Sequence, residues 1–399
     1  MVSVLLNDVT SPSAAPFFDE CARTNDSEPR ISEDAYSYLN RLAGDEGSRI
    51  RSMLEDWFAH YDADDDEKER LREAFIDKKE GIHLGAWWEL YTYSLYRCLG
   101  YRIEVHPKLD GVDTTPDFLL TRGAESMYVE CTVVSALDGP VTKRLAVEAA
   151  ICDAIREIDQ DDWLIGVTFN TDESNETPSL KKITADIGNW LKEYDPNKVW
   201  ADIEAARACG EEVVIPKKDF TFRDWSLTCI AYPKPPDDPQ PGRRWLGALP
   251  PSGKFDFSKI TKRIRDAVRD KGGKYGDRGT LDKPLVVAVM SVNRIASIGD
   301  AIDAMFGSRT RDQGRRDGYW RAPGSDGSAR GARVSAVLFS HDMQPWSVAS
   351  HLPVALINPW ADQPINDHPP LSTITATGEG EMLEKQSPTT PRDVFGSDI

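Results

Sequence analysis

The chain has few cysteines and few histidines, six of each in 399 residues, and neither type occurs at the spacing of a common metal site. There is no CxxC pair, and no two histidines stand in an HxH or HxxxH arrangement. These absences exclude the familiar zinc-binding motifs and leave no disulfide framework. We therefore expect reduced thiols and a cytoplasmic protein.

Long apolar runs are also missing. The longest one, residues 284–290, is far shorter than the ~20 residues that a bilayer crossing needs. No lysine or arginine precedes Arg23, so the beginning of the chain lacks the basic start of a secretory signal. Neither membrane association nor secretion is expected.

Positive charge is in deficit, because 48 Lys and Arg stand against 66 Asp and Glu, a formal net charge of −18. This balance excludes a protein that is basic over its whole surface. Residues 243–333 are an exception, since their 20 basic and 10 acidic residues give a local charge of +10. The whole-chain figure therefore conceals one basic segment between acidic ends.

The basic segment includes a predicted helix at about 258–271, with apolar residues on one face. Arginines between 309 and 333, together with Tyr319 and Trp320, extend the basic surface. A surface of this kind is typical of phosphate contacts, and it can equally dock against the chain's own acidic N-terminal region. Both interpretations stay open. The candidate nucleic-acid-binding residues are Lys259, Lys262, Arg263, Lys271 and Lys274.

Composition and periodicity predict a mixed α/β protein with irregular ends. A Pro-rich stretch at 233–251 is the clearest internal loop or linker. The predicted regions are a disordered N-terminus (1–30), an acidic helical region (31–80), a core (81–175), an α/β extension with the basic segment 243–333 (176–360) and a disordered tail (361–399). Within the core, the predicted order is a helix (83–99), three strands (101–105, 117–121, 126–134), a helix (140–158) and a strand (163–170).

The second and third of these strands form a predicted hairpin. Gly123 and Ala124 separate two β-rich runs, which suits a two-residue type II′ turn. In that register Phe118 faces Val129, and Asp117 falls directly opposite Glu130 on the other face of the hairpin. Like charges at opposed positions are destabilising, and solvent, protonation of one acid or a shared cation can relieve the repulsion. A divalent cation would use oxygens from both carboxylates, whereas two ordinary surface acids would need no ligand.

Four features follow one another in the chain: a helix with Glu89, then Gly100-Tyr101, Pro116-Asp117 and Glu130-Cys131-Thr132. This series resembles the restriction-endonuclease-like, or PD-(D/E)xK, nuclease superfamily. The resemblance implies an αβββαβ core with a mixed sheet, here elaborated by additional α/β elements. It implies that Asp117, Glu130 and the backbone carbonyl of Cys131 bind Mg²⁺ or Mn²⁺, with Glu89 assisting. A surface or salt-bridged glutamate is the other interpretation of Glu89.

One position departs from the family pattern, because Thr132 stands where the family has a catalytic lysine. Without a cation there, nothing orients the attacking water or offsets charge on the phosphate. The lysine could have moved to the following helix, where Lys143 is the best candidate. Alternatively, the site binds metal or nucleic acid without cleavage.

The expected function is that of a metal-dependent nuclease acting on DNA or RNA, with Asp117, Glu130, Glu89 and Lys143 as catalytic residues. The alternatives are a catalytically degenerate module that binds nucleic acid or a protein partner, and an interaction scaffold in which the hairpin is ordinary structure. The sequence does not indicate the oligomeric state.

Overall fold

Helices occupy most of residues 35–98, and strands follow them. The computed structural model describes residues 15–109, 111, 113–135, 139–159, 161–171, 176–236, 245–248, 257–275, 281–292, 296–310, 314–315, 318–323, 329–377 and 381–396. Up to residue 134 the elements are α1 (Ala35–Arg41), α2 (Gly44–Ala59), α3 (Asp65–Ile76), α4 (Glu80–Cys98), β1 (Arg102–Val105), β2 (Phe118–Arg122) and β3 (Glu125–Val134).

The rest of the chain alternates between helices and strands. The next elements are α5 (Gly139–Arg156), β4 (Trp163–Phe169), α6 (Leu180–Leu191), α7 (Pro196–Cys209), β5 (Lys217–Phe222), β6 (Trp225–Pro233) and β7 (Trp245–Ala248). The last are α8 (Phe257–Gly273), β8 (Leu285–Ser291), α9 (Ile298–Phe306), β9 (Arg309–Thr310), β10 (Gly314–Arg315), β11 (Val334–His341), a 3₁₀ turn (Pro345–Ser347), β12 (Val354–Ile357), β13 (Thr373–Ala376), β14 (Met382–Lys385) and α10 (Pro391–Phe395).

These elements form two compact units. Unit 1 comprises Met1–Ser27, Asp34–Ala136 and Phe257–Ile399, and unit 2 comprises Glu28–Glu33 and Leu137–Asp256. Unit 1 contains a mixed eight-stranded sheet in the order β1-β2-β3-β8-β11-β12-β13-β14. The predicted mixed α/β class is confirmed.

The centre of this sheet is parallel and apolar on both faces. β8 pairs in parallel with β3 on one side and with β11 on the other, and every residue of β8 is buried. Such a run is typical of a strand covered by helices on both sides. One face packs against α4 through residues such as Trp87 and Trp88, and the other packs against α8 and α9 through residues such as Ile264 and Met305.

The predicted hairpin register is confirmed. Phe118 pairs with Val129, Leu120 with Met127 and Arg122 with Glu125, so paired numbers sum to 247 as expected. Gly123 has a φ of +60°, a backbone conformation that glycine adopts without the penalty of a Cβ. On the apolar face of the hairpin, Phe118, Leu120, Met127 and Val129 are buried in the core that also contains the apolar residues of α4.

Unit 2 has its own sheet and its own core. The strand order is β5-β6-β4-β7, and β4 pairs with β6 in antiparallel and with β7 in parallel. Helices α5 and α6 cover one face of this sheet, where Ile151, Ile187 and Trp190 are buried among the strand residues. Unit 2 is an insertion in the chain between β3 and α8.

This insertion corrects the predicted core at 81–175. The helix and strand expected to complete it, α5 and β4, belong to unit 2, and β4 pairs with strands of that unit. The strand beside β3 is instead β8, which comes after unit 2 in the sequence. β8 pairs with β3 from Tyr128 onward. The predicted extension at 176–360 is likewise divided between the two units.

The ends are more regular than expected. Phe17 and Phe18 are buried in the core of unit 1, whereas residues 1–14 of the expected irregular N-terminus lie outside the described residues. The expected irregular tail contains β13, β14 and α10. Phe395 explains part of this order, because its ring packs 5.0 Å from Trp57 and 5.7 Å from Tyr91, measured between ring centroids. Over the described residues, none of the helices has the length and apolar character required to cross a membrane.

Candidate active site

Asp117, just before the start of β2, lies beside Glu130 of β3, as the register predicts. Asp117 immediately precedes β2, and its Oδ2 accepts a hydrogen bond of 2.5 Å from the backbone N–H of Cys131, the residue after Glu130. The Glu130 side chain is fully buried, and that of Asp117 is 20 % exposed. The pair is therefore largely shielded from solvent, which can relieve little of its repulsion.

Two lysines and a tyrosine surround the Glu130 carboxylate. The Nζ of Lys271 and the hydroxyl of Tyr275 donate to it at short range, and the Nζ of Lys274 lies 3.2 Å from Oε2. The Lys271 amine also lies 3.8 Å from Oδ2 of Asp117. One ammonium group thus stands between the two carboxylates and neutralises part of their repulsion.

The path of α8 positions these cations. Ile260, Ile264 and Val268 anchor the helix on the sheet face that also carries Glu130, so Lys271 in its last turn reaches the carboxylates. Gly272 permits the close approach, since a Cβ there would meet a methyl group of Val334 at 2.8 Å. The Arg333 guanidinium donates to the Gly272 carbonyl at 2.9 Å and fixes the end of the helix.

Burial and neighbouring charges both change the pKa values of these groups. Burial raises the pKa of Asp117 to about 6, with the Lys271 ammonium opposing this rise and the carboxylates of Glu130 and Glu89 adding to it. Burial lowers the pKa of Lys271, but Asp117 and Glu130 raise it by more, so this amine stays charged. Burial and the nearby Glu130 carboxylate raise the pKa of Tyr275, which keeps its proton and donates it in the hydrogen bond.

Glu89 lies on α4 in a second group of polar side chains. The Tyr61 hydroxyl donates to its Oε1 at 2.7 Å, and the Arg70 guanidinium forms an ion pair with the same oxygen at 2.9 Å. Glu89 is therefore a salt-bridged glutamate, which is one of the two interpretations that the sequence allows. Glu89 nevertheless lies near enough to Asp117 to raise the pKa of that carboxyl.

Glu67 and His106 complete this second group. His106 lies 3.3 Å from Glu67 through Nδ1 and 3.9 Å from Asp117 through Nε2. One ligand atom each from Glu67, Glu89 and His106 lie within 4.8 Å of one another, a distance that a metal ion can bridge. Arg70, however, contacts both glutamates and supplies the positive charge that they need.

Lys143 and the two carboxylates belong to different units of the structure. This lysine is exposed on α5 in unit 2, whereas the lysines that contact Glu130 among the described residues are Lys271 and Lys274 in unit 1. Within unit 1, the helix that follows β3 in the chain is α8. Thr132, at the family's lysine position, pairs in register with Val289 of β8.

The five predicted nucleic-acid-binding residues fall into two groups. Lys259 and Lys262 are exposed on α8, with Lys262 3.1 Å from Asp266, and Arg263 on the same helix is partly buried. Lys271 and Lys274 turn inward to Glu130 instead of forming an open phosphate-contacting surface. Trp320, expected in the same surface, is buried, with its ring centroid 5.1 Å from that of Phe306. Arg311 and Arg316 lie outside the described residues.

Tyr275, Arg70, Glu67 and His106 were not singled out from the sequence. The sequence does contain a signal for Tyr275. It ends the run Lys271-Gly-Gly-Lys274-Tyr275, which lies at the end of α8 and shortly before the most apolar strand of the chain. Recognising residues 285–291 as the central strand would have identified α8 as the helix facing Glu130. Nothing in the sequence links α3 or the loop after β1 to this site.

The donor atoms around Asp117 and Glu130 suit a hard divalent cation. Two carboxylates and the backbone carbonyl of Cys131 are oxygen ligands of the kind that Mg²⁺ and Mn²⁺ take. Both carboxylates already approach one positive group, the Lys271 ammonium, which shows that the position between them accepts positive charge. The residues present therefore fit such an ion, provided that the ammonium moves aside.

Comparison of the chain with protein-family models, with curated proteins and with solved structures finds no match.

Proposed function

We propose that this chain is a metal-dependent nuclease of the PD-(D/E)xK type, which hydrolyses phosphodiester bonds of DNA or RNA. The observation that carries the proposal is the convergence of Asp117, Glu130 and Lys271. Two carboxylates from opposed hairpin positions meet one lysine amine, which lies 3.8 Å from Asp117 and in hydrogen-bond contact with Glu130. These are the residue types of the family motif, with the lysine supplied by α8 instead of by β3.

The order of elements supports the proposal. In unit 1 the chain runs α4, β1, β2, β3, α8 and β8, which is the αβββαβ order that the resemblance implies, with unit 2 inserted after β3. β1, β2 and β3 pair in antiparallel, and β8 joins β3 in parallel. Glu130 lies on β3, Asp117 immediately precedes β2, and Lys271 lies on α8, the helix that follows β3 within unit 1.

A Mg²⁺ or Mn²⁺ ion held by Asp117, Glu130 and the Cys131 carbonyl would offset charge on the phosphate and lower the pKa of a bound water. Lys271 is the chain's own replacement for the missing motif lysine, because its charged amine reaches both carboxylates. Once displaced from Glu130, this amine can donate to a phosphate oxygen or orient the attacking water. Glu89, held by Tyr61 and Arg70, contributes negative charge behind Asp117.

Nucleic acid is the proposed partner. Lys259 and Lys262, exposed on the helix that carries Lys271, lie along one element leading to the carboxylates. Contacts with phosphates along such a helix are independent of base sequence and weaken as salt concentration rises. Replacing both lysines by glutamate should reduce DNA affinity and flatten its salt dependence. Unchanged affinity in this double variant would remove α8 from the interface.

The direct test is cleavage of DNA and RNA by the full-length protein in Mg²⁺ or Mn²⁺. Glu130→Gln and Lys271→Met should each reduce cleavage at least a hundredfold, because one removes a metal ligand and the other removes the cation. Two matched controls should keep the activity: Glu125→Gln on the same strand and Lys198→Met, whose lysine pairs with Asp202 on the surface of unit 2. Cleavage untouched by Glu130→Gln would refute the proposal.

A second candidate function is favoured by the coordination of Glu130 itself. Lys271, Lys274 and Tyr275 already satisfy this carboxylate, as expected for a fold that has lost its chemistry and kept a buried ionic network. The protein would then bind nucleic acid or a protein partner without cutting. Metal binding measured by calorimetry with no cleavage of any substrate would favour this alternative, and metal-dependent cleavage would exclude it.

A further inference from the structure

A pair of stacked histidines closes the loop that joins β11 to β12. This β11–β12 loop comprises residues 342–353, and its two ends lie next to each other because β11 and β12 pair in antiparallel. His341 is the last residue of β11, and His351 lies near the far end of the loop. Their rings are stacked, with centroids 5.6 Å apart and an angle of 27° between the planes. The pair therefore joins the two ends of the loop.

The hydrogen bonds of His351 fit an uncharged ring. The Ser350 hydroxyl donates to the Ser347 carbonyl at 2.6 Å, so its oxygen accepts a hydrogen bond from Nδ1 of His351 at 2.8 Å. In a neutral ring Nε2 then has no hydrogen, and it accepts a hydrogen bond from the Ser340 hydroxyl at 3.3 Å. Protonation would turn Nε2 into a donor, and the buried Ser340 hydroxyl would lose its acceptor.

His341 favours the uncharged form as well. Its Nδ1 is buried and has no hydrogen-bond partner among the residues that the structure describes. A charged ring at this position would bury an unpaired N–H group, which costs free energy. The two stacked rings would also repel each other once both were charged. The end of β11 therefore accommodates two neutral rings and opposes two charged ones.

Neighbouring charges do little to change this preference. Burial and the charge of His341 lower the pKa of His351 below its ordinary value of 6.5, and the His341 carbonyl and Asp342 oppose them more weakly. β8 and β12, the strands on either side of β11, have no ionisable side chain. α9, which also packs on β11, carries Asp300 and Asp303, and Asp300 caps its own helix. Asp342 is thus the acid that acts on His351, and its effect is the smaller one.

The closed loop covers part of the core of unit 1. Met343 and Val348 are buried there. The Trp87 indole of α4 donates to the Met343 carbonyl at 3.1 Å, and Trp346 on the 3₁₀ turn packs edge-on against the ring of Tyr38. Opening of the loop would break these contacts and expose the two buried side chains to solvent.

We propose that His341 and His351 make the β11–β12 loop sensitive to pH: the loop is closed while both rings are neutral and opens when they take up protons. The inference is independent of nuclease activity. In the open loop His351 takes up its proton at the ordinary histidine pKa of 6.5, whereas in the closed loop its pKa is lower. Closure is therefore favoured above pH 6.5 and weakens as the pH falls below it. Each pH unit over which the open loop holds one more proton than the closed loop weakens closure about tenfold.

The experiment follows hydrogen exchange of the full-length protein by mass spectrometry at pH 7.5 and at pH 5.0, in EDTA, with the rates corrected for the pH dependence of chemical exchange. The reporter peptide covers residues 339–353 and includes the Asp342 amide, which donates to the Ser291 carbonyl at 2.9 Å. A peptide covering β4 of unit 2 is the internal reference. The variants are His351→Gln, whose side chain does not ionise, and the control His60→Gln, at a half-exposed histidine that follows α2. Exchange at the C2 carbon of each histidine in the wild type reports the titration of His351 without any substitution.

The proposal predicts that protection of the loop peptide falls about tenfold or more between pH 7.5 and pH 5.0 in the wild type and in His60→Gln, with the β4 peptide changing by less than about twofold. In His351→Gln the loss should be less than about threefold, because opening takes up one proton fewer. The wild-type His351 should titrate below its ordinary value of 6.5. If His351→Gln is open at both pH values, this titration decides.

Three results would overturn the proposal: no loss of protection in the wild-type loop, an equal loss in His351→Gln and the wild type, or titration of His351 at or above pH 6.5. None of these results depends on whether the protein cleaves nucleic acid. The proposed function can therefore fail while this inference stands, and the reverse also holds.

Discussion

Replacing Asp117 by asparagine should stabilise unit 1 at alkaline pH, although it removes a proposed metal ligand. The ordinary pKa of this carboxyl is 3.8, and its surroundings raise the pKa to about 6. The folded protein therefore holds the proton more tightly than the unfolded chain does. As pH rises from 3.8 to about 6, the free energy of unfolding falls, and above pH 6 the loss amounts to about 3 kcal/mol.

Asparagine does not ionise, and its side-chain oxygen can still accept the hydrogen bond from the Cys131 N–H. The advantage of Asp117→Asn over the wild type should therefore grow by about 1–1.5 kcal/mol between pH 5 and pH 8, since roughly half of the loss has already occurred at pH 5. Asp113→Asn is a suitable control, because Asp113 is exposed in the loop before β2. Its effect should stay within about 0.5 kcal/mol at both pH values.

The assay is urea-dependent hydrogen exchange, followed by mass spectrometry on peptides covering β2 and β3, in EDTA. Local exchange is preferable to a whole-chain signal, because the two units can unfold separately. An equal effect of Asp117→Asn at pH 5 and pH 8, or a variant that is less stable than the wild type at pH 8, would refute the argument that Asp117 is ionised against its environment.

Three further substitutions, one of them with a matched control, test the structure around the site by the same exchange assay. Tyr275→Phe should destabilise unit 1 by about 1.5–3 kcal/mol, because a buried carboxylate loses a hydrogen-bond donor; no effect would mean that the hydroxyl does not bind Glu130. Phe118→Ala should cost about 3–5 kcal/mol because its ring is fully buried, whereas Leu383→Ala at a 55 % exposed position should change stability by less than about 0.5 kcal/mol. Gly123→Ala should cost about 1–2 kcal/mol, since φ is +60° there, and a neutral result would contradict the turn geometry.

The hairpin could be predicted because its determinants are local. A glycine turn and alternating apolar residues fix the pairing of Phe118 with Val129, and that pairing alone places Asp117 opposite Glu130. The burial of Glu130 could not be predicted from the hairpin. It depends on α8, a helix that packs on this face of the sheet from beyond unit 2.

The contact of Lys271 with Glu130 could not be predicted for the same reason. Sequence order presents α5 as the next helix after β3, so it favours Lys143, and the role of Lys143 stays a prediction. An insertion breaks the link between neighbours in sequence and neighbours in space, and unit 2 is such an insertion. The tail shows a related limit, since polar composition predicted irregular structure there. Contacts of one residue, Phe395 with Trp57 and Tyr91, help to order its last helix.

The most direct test of the account is the rate of cleavage of a labelled DNA substrate in Mg²⁺ by the wild type, Glu130→Gln and Glu125→Gln, measured side by side with an EDTA blank and repeated with RNA. The account predicts cleavage by the wild type and by Glu125→Gln that disappears in EDTA, and at least a hundredfold less cleavage by Glu130→Gln. Equal cleavage by the two variants, or no cleavage of DNA or RNA by the wild type in Mg²⁺ or Mn²⁺, would contradict it.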